Sequence, residues 1–171
     1  MSSEKMAGQS GADSLWDFSV CVYARPGVEE ICIRLQDDWH ADIPVLLFAL
    51  WRGRQGRVIS NSGFLDIAGA VSVWQRDVIA PIRQLRRRLR YLDPLEPALA
   101  EGLQSIRSDL KETELGAERR ELEYLATIEV GATHEPIAAT ISANITTYLD
   151  FLEVPKGDQK ECVKLVDAAS L

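Results

Sequence analysis

The chain is poor in cysteine and histidine, and it has no long apolar run. Its three cysteines, Cys21, Cys32 and Cys162, are odd in number and show no paired spacing. That excludes a disulfide framework and points to a reducing compartment, the cytoplasm. The longest unbroken apolar run, Ile43 to Trp51 with Pro44 included, is less than half of the roughly 20 residues that a bilayer span requires, so no membrane insertion is expected. Residues 1–13 are polar and rich in Ser and Gly, without the basic start and apolar middle of a secretion signal. They read as a disordered leader. No segment sustains the two-residue alternation of a half-buried strand, and no Asn-Gly hairpin signal occurs. Also missing are a Walker A loop, a Gly-rich dinucleotide turn, a Ser-centred nucleophile elbow and a Cys-x-x-Cys pair. No cofactor is expected.

What the chain does have is helical periodicity. Ser14 caps a first helix with the stripe Leu15, Phe18 and Val22, and Arg25-Pro-Gly27 separates it from a second. There Val28, Ile31, Cys32, Leu35 and Trp39 form one apolar face. Asp42 caps the Ile43–Trp51 run, with Pro44 in the first turn, where a missing N–H costs nothing. Apolar on all sides, that run predicts a central buried helix. Residues 57–63 read as a polar loop. A long pattern from Phe64 to Leu89 follows, with Pro81 expected to kink or restart it. After the Asp93-Pro94 turn comes the stripe Leu95, Leu99, Leu103, Ile106 and Leu110, with a kink or a break expected at Leu115-Gly116 and a further helical piece over roughly Ala117 to Glu129. The final stripe, Ile137, Ile141, Ile145, Tyr148 and Leu152, suits either the core or a homo-oligomer seam. The fold expected is all-α: a single-domain irregular bundle of six or seven helices around a buried central helix, spanning residues 14–154, with 155–171 as a mobile tail.

Charge is unevenly spread. Residues 1–90 hold 12 Lys and Arg against 10 Asp and Glu, whereas residues 91–171 hold 7 against 16. Either two faces pair internally or each meets its own partner. Arg83, Arg86, Arg87, Arg88 and Arg90 cluster within eight residues, and Arg52, Arg54 and Arg57 follow the central helix. Guanidinium forks suit carboxylate and phosphate, so Arg83, Arg86, Arg87 and Arg90, with Arg52 and Arg54, form a candidate docking surface for an acidic or anionic partner. Another protein is the expected partner. RNA is an alternative, although the acidic balance and the lack of interleaved aromatics weigh against it. The bland alternative pairs these arginines with Glu96, Glu101 and Asp109 on the next helix.

Asp38, His40 and Asp42 form the other candidate site. Two carboxylates four residues apart share a helix face, the arrangement that holds Mg²⁺ and diphosphate in helical isoprenoid synthases. A second acidic motif would have to come from Glu118, Glu121 and Glu123, whose spacing is wrong, and the capping position takes Asp42 off the helix that carries Asp38. His40 and His134 lack metal-ligand spacing. Trp16, Trp39, Trp51 and Trp74 lie on or beside apolar stripes, where core packing is expected. Trp16 and Trp39 could instead line a groove.

The strings Leu15-Trp-Asp-Phe-Ser-Val-Cys-Val-Tyr23, Arg25-Pro-Gly-Val28, Leu35-Gln-Asp37 and Leu46-Leu-Phe-Ala-Leu-Trp51, with Pro81-Ile-Arg83 and Arg86-Arg87, resemble the DUF2390 family of small proteobacterial proteins. The likeness spans roughly residues 14–150. It implies one bacterial cytoplasmic domain and transfers no catalytic residue. The functional expectation is therefore a non-enzymatic accessory protein that docks its partner through the arginine face. A helical enzyme or small-ligand binder using Asp38 and Asp42 is the alternative.

Overall fold

The structure, a computed structural model, describes residues 14–92, 96–132 and 135–170. The expected leader, the Asp93-Pro94 turn and His134 lie outside the described residues. The all-α bundle expected from periodicity is what forms, and no described helix is long and apolar enough to cross a membrane. Helix α1 covers Leu15–Tyr23, α2 Val28–Trp39 and α3 Ile43–Arg54. The caps fall where the sequence places them: Ser14 Oγ accepts from Asp17 N–H at 3.1 Å, and Asp42 Oδ1 accepts from Val45 N–H at 3.3 Å.

Every residue of α3 from Ile43 to Leu50 is buried. Its main neighbour is α7, Ile137–Phe151, which runs antiparallel to it: Gly53 lies against the Ile141 backbone at one end, and Asp42 bonds Tyr148 at the other. A Cβ on Gly53 would come within 2.7 Å of Ile141 Cα, so glycine sets how closely the two helices approach. Between these ends Asn144, fully buried, donates to Ala49 O at 3.0 Å and Arg57 O at 2.8 Å, and accepts from Ile59 N–H at 2.9 Å. The α7 stripe Ile141, Ile145 and Tyr148 is thus consumed by the chain's own core and is not free as a dimer seam.

Four expectations are corrected. The segment after α3 is not simply a polar loop: β1, Arg57–Val58, pairs antiparallel with β2, Gly131–Ala132, and Ile59 is buried. Pro81 does not restart a helix. Helix α4, Asn61–Trp74, continues into α5, Ala80–Arg88, through a π-helical turn at Gln75–Ile79, where Ala80 N–H reaches back to Gln75 O. That widened turn accommodates the missing N–H of proline. Helix α6 runs unbroken from Pro97 to Leu125, because Gly116 is exposed and a glycine there costs only about 1 kcal/mol. Packing at Glu114 and Ala117 anchors both sides of it. Finally, residues beyond Pro155 are not a loose tail. Short α8, Lys156–Gln159, leads to α9, Val163–Ser170, and Cys162, Leu165 and Ala169 are buried in the core at helical spacing. Cys21 is exposed.

Candidate functional site

The arginine cluster divides into structural and free members. Arg52 is buried, with its guanidinium 4.7 Å from the centre of the Trp51 ring; it donates to the carbonyls of Ala126 and Ile128 and to Gln55 Oε1 at 3.1 Å. It therefore ties the end of α6 to α3 and is not available to a partner. Burial lowers its pKa. Arg54 is exposed, beside the Phe18 ring at 5.8 Å. Arg83 bridges Glu114 and Glu118 at 2.7 and 2.6 Å, and Arg86 grips the same Glu114 at 2.5 Å. Burial pushes the Glu114 carboxyl up, but the two arginines outweigh it and hold it below the usual range. The internal partners are thus Glu114 and Glu118, deeper along α6 than Glu96, Glu101 or Asp109. Arg87 pairs with Asp37 on α2, both largely exposed.

Between α1–α2 and α5–α6 lies a cleft of about 970 Å³. Trp16, Val20, Tyr23, Ile33, Leu47 and Leu115 supply apolar wall and floor. Arg86, Arg90, Arg107 and Lys111 line the same space, with Glu29, Glu114 and Glu118. Glu114 and Glu118 are already committed to Arg83 and Arg86, whereas Arg90, Arg107 and Lys111 make no ion pair with any described residue. Three uncommitted cations face one uncommitted carboxylate, Glu29, across apolar walls. Arg107 and Lys111 had no place in the sequence-based site. The signal was present: Gln104, Arg107, Ser108, Lys111, Leu115, Glu118 and Leu122 recur at helical spacing on one face of α6.

Asp38 and Asp42 are not brought together as a metal or diphosphate site. Asp38 is exposed on α2, and His40, exposed and left-handed at φ 52°, ends that helix. The Asp42 carboxyl turns inward and meets Glu121 of α6, which is 2% exposed. Glu121 Oε2 accepts from Gln75 Nε2 at 2.7 Å, and no donor faces Oε1. Two carboxyls share this enclosure through a hydrogen bond, which requires a proton. Burial, followed by the Asp42 charge, pushes the Glu121 carboxyl up to about 10, and burial raises Asp42 as well. The Tyr148 hydroxyl donates to Asp42 O and accepts from Asp42 N–H, both at 2.9 Å. Among the described residues, no group of three His, Cys, Asp or Glu side chains is placed to hold a metal ion. Burial pushes the Cys32 thiol up to about 12 and raises Cys162, so neither is a nucleophile at neutral pH.

A family model described as a protein of unknown function, DUF2390, matches residues 14–125. No curated protein and no solved structure matches the chain.

Proposed function

Because the chain belongs to the DUF2390 family, whose description assigns no activity, its function has to be argued from the cleft, and we propose that it is a partner-docking protein of the bacterial cytoplasm. Its partner is a protein segment that carries acidic side chains next to an apolar one. The observation that carries this reading is the set of three uncommitted cations, Arg90, Arg107 and Lys111, along one apolar-walled cleft. The apolar side chain would enter between Val20, Ile33 and Leu115 while carboxylates meet the cations at the rim. Desolvation of the apolar part supplies affinity, and the charges supply orientation and on-rate. Arg83 and Arg86, held by Glu114 and Glu118, act as framework for α5 and not as contacts. The free thiols agree with a reducing compartment.

The test is site-specific photocrosslinking in the native cell, with a benzophenone side chain at Val20 or at Ile33, and a control at Leu65, an exposed α4 residue outside the cleft. A discrete protein adduct from Val20 and Ile33 is expected, absent from Leu65 and lost on combined Arg90→Glu, Arg107→Glu and Lys111→Glu. Adducts of equal yield at Leu65, or no change on charge reversal, would refute docking at the cleft. Ribonuclease-sensitive adducts would transfer the site to RNA.

A further inference from the structure

The cleft changes character along its length. Arg83 meets Glu114 and Glu118, and Arg86, about one turn further along α5, meets Glu114. The two helices therefore run antiparallel in a fixed register. About one more turn brings Arg90, in the 3-10 turn Leu89–Tyr91 that ends α5, level with the Arg107–Lys111 turn of α6. Arg107 and Lys111 stand about 6 Å apart along the helix axis on one face, with Gln104 and Ser108 beside them. Three cations and two neutral polar side chains thus line this end, and none of these side chains bonds a described residue. Beyond Lys111 the lining turns apolar. Leu115 faces the cleft, Glu114 and Glu118 are held by Arg83 and Arg86, and Leu122 with Ile43 and Leu47 makes a buried floor. The charge of Glu29 is felt by Tyr23 together with those of Glu118 and Arg83, which places Glu29 toward the apolar end.

A lone carboxylate would answer one of these three positive charges. Two carboxylates brought to the same turn would repel each other where they must converge. A phosphomonoester carries a charge of roughly −1.5 to −2 and three terminal oxygens on one phosphorus. Two guanidinium forks and an ammonium, arriving from α5 and α6, can share those oxygens, and Gln104 and Ser108 add neutral donors. Leu115 lies about one turn from Lys111, within reach of an apolar group a few bonds from the phosphorus. We infer that the cationic end of the cleft is a phosphoryl-binding site, and that the docking segment is phosphorylated beside its apolar anchor. The protein carrier rests on the docking reading; the phosphoryl site itself rests on the register of α5 against α6 and on the uncommitted cations.

Titration of the full chain with hexyl phosphate, hexanoate and inorganic phosphate, read by amide NMR shifts, tests the site. Hexyl phosphate is expected to shift amides from Arg107 to Leu115 and to bind at least about tenfold more tightly than hexanoate. Its affinity should rise several-fold from about pH 5.5 to about pH 7.5, as the second phosphate proton leaves at ~6. Hexanoate should hold steady over that range, and it reports any titration of Glu29, Glu114 or Glu118. Arg107→Gln with Lys111→Gln should abolish the preference for phosphate. Arg88→Gln, at an exposed arginine outside the cleft, should keep it. In the cell, the partner crosslinked from Val20 should run as its phosphorylated form on a phosphate-affinity gel. Hexanoate binding as tightly as hexyl phosphate, or a preference that ignores pH, would overturn the phosphoryl site and leave docking to its own crosslinking test. Inorganic phosphate matching hexyl phosphate, or a crosslinked partner without phosphate, would overturn the phosphorylated segment. A phosphate preference without any crosslinked protein would keep the site and remove the protein carrier.

Discussion

Glu121→Gln should flatten the pH dependence of stability. In the folded protein the protonated Glu121 carboxyl donates a hydrogen bond to Asp42 and accepts one from Gln75 Nε2 at 2.7 Å. In the unfolded chain it ionises near ~4.3. In the fold, burial and the Asp42 charge delay ionisation to about 10. Between these values the native state holds one proton more than the unfolded state. The stability tied to that proton is whole below ~4.3, declines as pH rises, and is exhausted by about 10. One proton corresponds to a slope of about 1.4 kcal/mol per pH unit. Glutamine reproduces the protonated geometry, because its amide oxygen can still accept from Gln75 while its NH₂ donates to Asp42, and it carries no titrating proton. Urea unfolding of both proteins from about pH 5.5 to about pH 7.5 should therefore show the variant gaining roughly 3 kcal/mol relative to wild type across the series. Asp42, also raised by burial, titrates in both proteins, so its own slope largely cancels in the difference. A difference in stability that stays constant with pH would refute the shared-proton assignment.

Asn144→Ala should cost about 3 kcal/mol or more, because it leaves Ile59 N–H, Ala49 O and Arg57 O without their partner at a fully buried position; chemical denaturation reads it directly. Gly53→Ala should lower the melting temperature by an amount corresponding to about 1–3 kcal/mol, since its Cβ meets Ile141 backbone at 2.7 Å and one helix must shift. An unchanged melting temperature would show that α3 and α7 pack with slack.

The central helix was legible because two local signals agree there: Asp42 with Pro44 announces a start, and an all-round apolar run announces burial on every side. The α9 packing was written in the chain too, as Cys162, Leu165 and Ala169, but two of these three anchors are small residues that a count of large apolar side chains undervalues. The acid pair could not be read from local pattern. Asp42 presents itself as a cap, and nothing near it in sequence signals that the fold will lay Glu121 against it. Likewise Arg83 and Arg86 stand in a run with Arg87, Arg88 and Arg90 that gives no hint which are spent on Glu114 and Glu118. Only the register of α6 against α5 decides that, and an expected break at Gly116 had hidden the register. Arg107 and Lys111 look like solvated cations on an acidic helix until the α1–α2 pair closes over their side.

The antiparallel seam between α3 and α7 has a consequence for where this protein may be cut. The family match ends at residue 125, yet α7 begins at Ile137. A fragment trimmed to the matched residues would lose Tyr148 from Asp42, Asn144 from Ala49 and Ile59, and the backbone wall against Gly53, stripping one whole flank from the most buried helix in the molecule. The stretch by which the family is recognised is therefore shorter than the unit that folds. Such a fragment would expose α3 to water and aggregate, whereas an expression boundary drawn beyond α9 keeps the flank covered.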